Sequence, residues 1–139
     1  YPYLFTYFPK EAWRTQRLTK ELLEKYYHNS PSGIPGNDDT GTMSAWAIYS
    51  MLGFYPDCPG STSYALTTPV FDKITIHLDS KYYKQPKLVI SKGTAGAERG
   101  DYFTQIQLAN KLYSNKYRLT HAELTGAGEL RYLTQPKHR

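Results

Sequence analysis

One cysteine, Cys58, stands in a chain of 139 residues. A lone thiol excludes an internal disulfide and any metal site built on several thiolates. No apolar run approaches the roughly 20 residues that a membrane-spanning helix needs. The four histidines, His28, His77, His121 and His138, have no mutual metal-ligand spacing. An EF-hand-like run of alternating aspartates is missing, and so is any Asn-x-Ser/Thr sequon, because Asn29-Ser30 is followed by Pro31. Internal repeats and low-complexity tracts are absent. No block of one charge occurs either. Lys and Arg number 17 against 12 for Asp and Glu, a formal charge of +5, and Lys10, Arg14, Arg17, Lys20 and Lys25 are strung along one segment. Dispersed cations of this kind read as a solvated helix face, and nucleic acid is not an expected partner.

The hydrophobic period divides what remains near residue 57. Residues 10–28 carry Trp13, Leu18, Leu22, Leu23, Tyr26 and Tyr27, mostly at helical spacing, with charged residues between. That pattern predicts an amphipathic surface helix whose apolar face is buried. Asn29 to Gly36 holds two prolines and two glycines and cannot continue it. A second helix is predicted from Thr42 to Leu52. Met43, Ala45, Trp46, Ala47, Ile48, Tyr49, Met51 and Leu52 encircle its axis, so it should be buried on nearly every side. Gly53 stands where a C′ glycine ends a helix. Beyond Asp57-Cys58-Pro59-Gly60 the period becomes two. Lys73–Leu78, Lys87–Ser91, Phe103–Ala109 and Glu129–Leu133 read as short strands. Asn110-Lys111 reads as a hairpin turn, and Thr120-His121-Ala122-Glu123 has capping-box spacing for one helical turn. Lys92 to Gly100 is the most loop-like stretch. The expected fold class is α+β, with a small antiparallel β-region wet on one face.

The chemistry concentrates in Gly36-Asn37-Asp38-Asp39-Thr40-Gly41, just ahead of the apolar helix. Two glycines give the loop backbone freedom. The helix beginning at Thr42 aims free N–H groups and its positive dipole end at the two carboxylates, which favours their ionised form and suits a general base. An Asx turn with an ordinary N-cap uses the same residue types, and composition alone favours that plainer reading.

The wider motif is more specific. Gly36-Asn37-Asp38-Asp39-Thr40-Gly41-Thr42-Met43-Ser44-Ala45-Trp46, followed by Leu52-Gly53-Phe54-Tyr55-Pro56, closely resembles the signature of glycoside hydrolase family 92, the calcium-dependent exo-acting α-mannosidases. Tyr1 to Phe8 is similar to that family's Pro-Tyr-Leu-Tyr/Phe helix end, and Trp13-Arg14-Thr15-Gln16 to its Trp-Lys-Thr-Gln. Thr68-Pro69-Val70-Phe71-Asp72 resembles its Ser-Pro-Leu-Phe element. Leu119-Thr120-His121 and Gly128-Glu129-Leu130 resemble its closing Ile-Thr-His and Gly-Gly-Glu-Leu. The matches are collinear from residue 1 to about residue 133.

The resemblance implies several things. Family members combine a β-sandwich with a large helical toroid and are several times longer than this chain. Residue 1 also falls inside an apparent helix with no initiating Met, so the chain is expected to be a C-terminal piece of a longer enzyme. Residues 1–57 would be the C-terminal end of an (α/α)6 toroid catalytic domain, and 58–139 an antiparallel β-region packed on it. The implied parent is an inverting exo-α-mannosidase taking mannose from N-glycans or mannans, with α-1,2 linkages the expected target. Its partners are then a mannose-containing glycan and the rest of the parent chain. The family suggests a bacterial secreted, periplasmic or cell-surface setting.

Inverting hydrolysis needs two carboxyl groups roughly 6.5–9.5 Å apart. Successive side chains diverge, so Asp38 and Asp39 are not that pair. In the family the acid is a Glu upstream of the matched segment, and the base falls on Asp39. Asn37 would hold a water or sugar hydroxyl, and Asp38 would support the loop. Trp46 is a candidate wall of the sugar pocket, although its place on an apolar helix favours packing. Calcium (Ca2+) is implied by the resemblance only, and its ligands are unassigned. A mannoside-binding relative without activity and a toroid glycosidase of other specificity both stay open. A Glu-Gly-x-x-Trp-Gln-like acid motif ahead of Tyr1 would count against the inactive relative.

Overall fold

The structure, a computed structural model, describes residues 1–138. A short 3-10 helix, Pro2–Tyr7, opens the chain, with Pro2 at a position where its missing N–H costs nothing. Helix α1, Ala12–Tyr26, and helix α2, Thr42–Leu52, follow. The chain then forms β1 (Phe54–Tyr55), β2 (Ser63–Leu66), β3 (Lys73–His77), β4 (Lys87–Thr94), β5 (Tyr102–Leu108), β6 (Lys111–Ser114) and β7 (Arg118–Thr120). Helix α3, His121–Ala127, and strand β8, Glu129–Gln135, complete it. The capping box of α3 is present, with Thr120 and Glu123 bonding each other's backbone N–H, and the helix runs for two turns rather than one.

Two sheets organise the strands. β1-β2-β7 is a three-stranded antiparallel sheet, and β3-β4-β8-β5-β6 a five-stranded one. The expectation of a wholly antiparallel region is corrected here. β4 and β8 run parallel, with Val89 opposite Glu129 and Ile90 opposite Leu130. Parallel neighbours need a long connection, and the excursion through β5, β6, β7 and α3 supplies one. Lys92–Gly100 is also less loop-like than expected, because β4 continues to Thr94. One core cluster joins both halves of the chain. It runs from Ala12 and Phe54 through Leu66, Ile90, Phe103 and Ile106 to Leu130 and Tyr132.

Both helices depart from their predicted burial. On α1 the buried residues are Ala12, Thr15, Gln16 and Thr19, while Tyr26 is exposed. The buried face is polar, and two of its side chains, Thr15 and Gln16, bond backbone. The Thr15 hydroxyl donates to the Pro2 carbonyl at 2.6 Å. Leu18 and Leu22 instead border an open groove with Leu4, Phe5 and Phe8. On α2 only Ala47 and Ser50 are buried, and Ile48 is 54% exposed. Thr42, Ala45 and Ile48 form its exposed face, while Tyr49 and Leu52 pack against the core.

The Gln16 amide is the main bond between α1 and the large sheet. Its Oε1 accepts from the Phe103 N–H at 2.8 Å and its Nε2 donates to the Phe103 carbonyl at 3.0 Å. β6 pairs with β5 only from Gln105 onward, so the side chain occupies a place where no strand runs. Replacing Gln16 with Leu should strand both buried backbone groups and lower unfolding free energy by about 2–4 kcal/mol. Denaturant titration of the whole protein checks this, and an unchanged midpoint would mean that Phe103 finds other partners.

Candidate active site

The loop before α2 has an unusual backbone. Asp39, Thr40 and Gly41 have φ of 41°, 59° and 84°, three left-handed residues in succession. Glycine takes that conformation freely, Asp tolerates it, and β-branched Thr resists it. Local bonds to one carbonyl compensate. The Asp39 carbonyl accepts from the Thr40 and Thr42 hydroxyls and from the Thr42 N–H.

The two acids have different surroundings. Gly41 occupies the N-cap of α2 and has no side chain to offer. Asp38 reaches into that place. Its Oδ1 accepts from the Ser44 N–H at 2.8 Å and its Oδ2 from the Ser44 hydroxyl at 2.6 Å. These bonds, the hydroxyl's first and the N–H's second, hold the Asp38 carboxyl below its usual range. Asp38 is committed to starting the helix. Asp39 is exposed, and among the described residues its carboxylate receives no hydrogen bond. Asn37 is exposed beside it.

Trp46 is half-buried. Its indole stacks on Tyr27 with centroids 5.5 Å apart and planes at 20°, and meets Tyr3 edge-on at 6.4 Å. The Tyr27 hydroxyl donates to the Met43 carbonyl in the first turn of α2. A cavity of about 780 Å³ lies between the second half of α1 and α2, lined by Leu23, Tyr27, His28, Ile34, Ala47 and Met51. Asn37, Asp38 and Asp39 are not among its walls.

Among the described residues no three His, Cys, Asp or Glu side chains converge on a point that could hold a metal ion. Calcium takes six to eight oxygens, from carboxylates, amide and backbone carbonyls and water, and the carboxylates here do not gather to supply their share of that set. Two of the histidines pack against aromatic rings. His121 sits between the Tyr64 and Tyr83 hydroxyls, at 2.8 and 3.3 Å, and His138 stacks on Trp13 at 3.9 Å. Two contributors escaped the sequence reading. Ser44 lies at the third position of a helix preceded by Asp and Gly, a pattern that signals capping. Tyr27 has no local signal, since its contact to Met43 spans a loop.

Residues 1–136 match the model of the glycosyl hydrolase family 92 catalytic domain. The fold superimposes with a TM-score of 0.80 on the family GH92 α-mannosidase of Bacteroides thetaiotaomicron solved with mannoimidazole. The two are 28% identical, over 98% of this chain and 17% of that one. A family GH92 inverting mannosidase from the same organism gives a TM-score of 0.77 and 31% identity, over 97% of this chain and 18% of that one. An uncharacterized secreted glycosidase of Arthroderma benhamiae is 28% identical over 74 residues, 53% of this chain and 9% of the relative. The chain thus spans under a fifth of the length of these relatives. Matched over nearly its whole length by the family model, the chain belongs to glycosyl hydrolase family 92.

Proposed function

We propose that this segment carries the general-base loop of an inverting exo-acting α-mannosidase that removes mannose from N-glycans or mannans, with α-1,2 linkages the expected target. In that reading residues 1–57 end the helical toroid and 58–139 form the β-region packed on it. The observation that carries the proposal is the asymmetry of the two acids. Asp38 spends its oxygens on Ser44, whereas the Asp39 carboxylate is exposed and unbonded among the described residues. A base must reach a water, and only Asp39 is free to do so.

Asp39 takes a proton from a water as that water attacks the anomeric carbon opposite the leaving group. Asn37 holds the water or a sugar hydroxyl. The proton for the leaving oxygen comes from a Glu upstream of this segment. Calcium, which the family implies, would draw its ligands largely from outside these residues, and no step above runs through it.

In the whole enzyme, Asp39→Asn should lower kcat by about 10²–10⁴ with an unchanged melting temperature. A rate within a few-fold of wild type would remove Asp39 from the mechanism. Asp38→Asn should act chiefly on stability, with a pH signature. A carboxyl depressed in the folded state stabilises above its unfolded pKa and loses that contribution as pH falls through the folded value. The melting-temperature gap between wild type and Asp38→Asn should therefore be full at neutral pH and close below about pH 4. A gap independent of pH would assign the loss to shape instead. Proton NMR during early turnover of an α-mannoside should show β-mannose first. Initial α-mannose would recast Asp39 as a nucleophile.

A further inference from the structure

We infer that Tyr27 is the positioning residue of the Asp39 loop, its ring stacked on Trp46 and its hydroxyl bonded to the Met43 carbonyl. The inference rests on the general-base reading and adds what fixes the base in space. The loop's own hydrogen bonds all fall between Asp38 and Ala45. They set its shape but not its location. Location must come from contacts between the start of α2 and the rest of the molecule.

The other end of α2 is firmly held. Ser50 bonds the Tyr3 hydroxyl at 2.7 Å, and the Gly53 carbonyl accepts from Tyr132 at 2.6 Å. Eleven helical residues at 1.5 Å each put the Asp39 loop about 16 Å from that anchor. A tilt of about 4° about the Gly53 end would then carry the loop about 1 Å. Misplacement of about 1 Å can cost on the order of 10²-fold in rate. Among the described residues, the one hydrogen bond to the first turn of α2 from beyond its own loop comes from the Tyr27 hydroxyl, to the Met43 carbonyl at 3.3 Å, and the Tyr27 ring stacks on Trp46 one turn on, which also meets Tyr3 edge-on.

Hydrogen bonds hold the Tyr27 backbone and the turn that follows it. Tyr27 caps α1, its N–H donating to the Leu23 carbonyl at 3.2 Å. The turn behind it closes through the His28 N–H to the Gly33 carbonyl at 2.8 Å and the Gly33 N–H to the Ser30 carbonyl at 3.0 Å. A Cβ on Gly33 would lie 1.8 Å from the His28 carbonyl oxygen, so only glycine closes this turn. Burial, with the Asp38 charge second, raises the Tyr27 phenol above its ordinary value. It therefore stays a donor to Met43 at neutral and mildly alkaline pH.

Ordinary packing would also bring these rings together, so the test must separate placement of the base from stability. Tyr27→Leu and Tyr27→Phe are made in the whole enzyme, each with Asp39 intact and with Asp39→Asn, and assayed on an aryl α-mannoside. With Asp39 intact, Tyr27→Leu should lower kcat about 10–100-fold and leave KM within about threefold. Tyr27→Phe keeps the stack and loses the hydroxyl, and should lower kcat about 3–10-fold. With Asp39→Asn, either change should alter the residual rate by less than about twofold, because it acts through a base already removed. Equal losses in both backgrounds, or an unchanged kcat in Tyr27→Phe, overturn the inference. If Asp39→Asn alone is harmless, the general-base reading fails first. If it is severe while the Tyr27 losses simply add, only the positioning role fails.

Discussion

The hydrogen bond from the Tyr132 hydroxyl to the Gly53 carbonyl is the joint on which the placement of α2 depends. Tyr132 is fully buried in β8, and burial pushes its phenol well above the ordinary value, so it remains a donor. The same carbonyl accepts from the Thr67 N–H at 2.9 Å. Gly53 has φ of 99°, and a Cβ there would press against Pro69 and the Thr67 carbonyl at 3.1 Å. The Tyr132 ring lies edge-on to Phe103 at 4.9 Å, and the Phe103 backbone is held by Gln16 of α1. A closed circuit results, from α2 through the sheet to α1. The sheet fixes the Gly53 end of the helix, the pivot about which its loop is placed.

A second clamp ties the opening 3-10 helix into this frame. Arg118 on β7 grips Asp57 through two bonds, at 2.7 and 3.1 Å, and also donates to Thr6 and Ser63. Its guanidinium lies 4.2 Å from the Tyr7 ring centroid. The Asp57 side chain is 7% exposed, so removing either partner would leave a poorly hydrated charge. Segments far apart in sequence therefore meet at one planar cation. Such polar joints, like those of Thr15 and Gln16, are directional and define orientation more sharply than apolar contact does.

The sequence was most legible where structure is local. The bounds of α2, its C′ glycine, the capping box of α3 and strand β3 all follow from spacing within one or two turns. Burial was misread where partners are distant. Thr15, Gln16 and Thr19 look like a surface stripe until the Pro2 and Phe103 backbones are seen opposite the first two. Leu18 and Leu22 look like core, yet they border an open groove, and Ile48 is exposed. The parallel pairing of β4 with β8 leaves no local trace, since both strands alternate as antiparallel ones would. At the site, the Asn37-Asp38-Asp39 run and the family resemblance were readable. The bonds of Ser44 to Asp38 and of Tyr27 to Met43 span six and sixteen residues, beyond the reach of local spacing.

The different fates of two adjacent aspartates have one origin. Gly41 leaves the N-cap of α2 without a side chain, while the Ser44 N–H still needs an acceptor. Asp38 provides it from three residues before the cap. To bring its carboxylate back over the helix end, the chain between must curl tightly. Asp39, Thr40 and Gly41 do so in the left-handed region, at a cost for Asp and Thr that the bonds to the Asp39 carbonyl offset. That curl turns the Asp39 side chain away from the helix end and into solvent. Capping by the first acid thus exposes the second. Moving the glycine one place, or giving the cap its own hydroxyl, would release Asp38 and remove the constraint that presents Asp39.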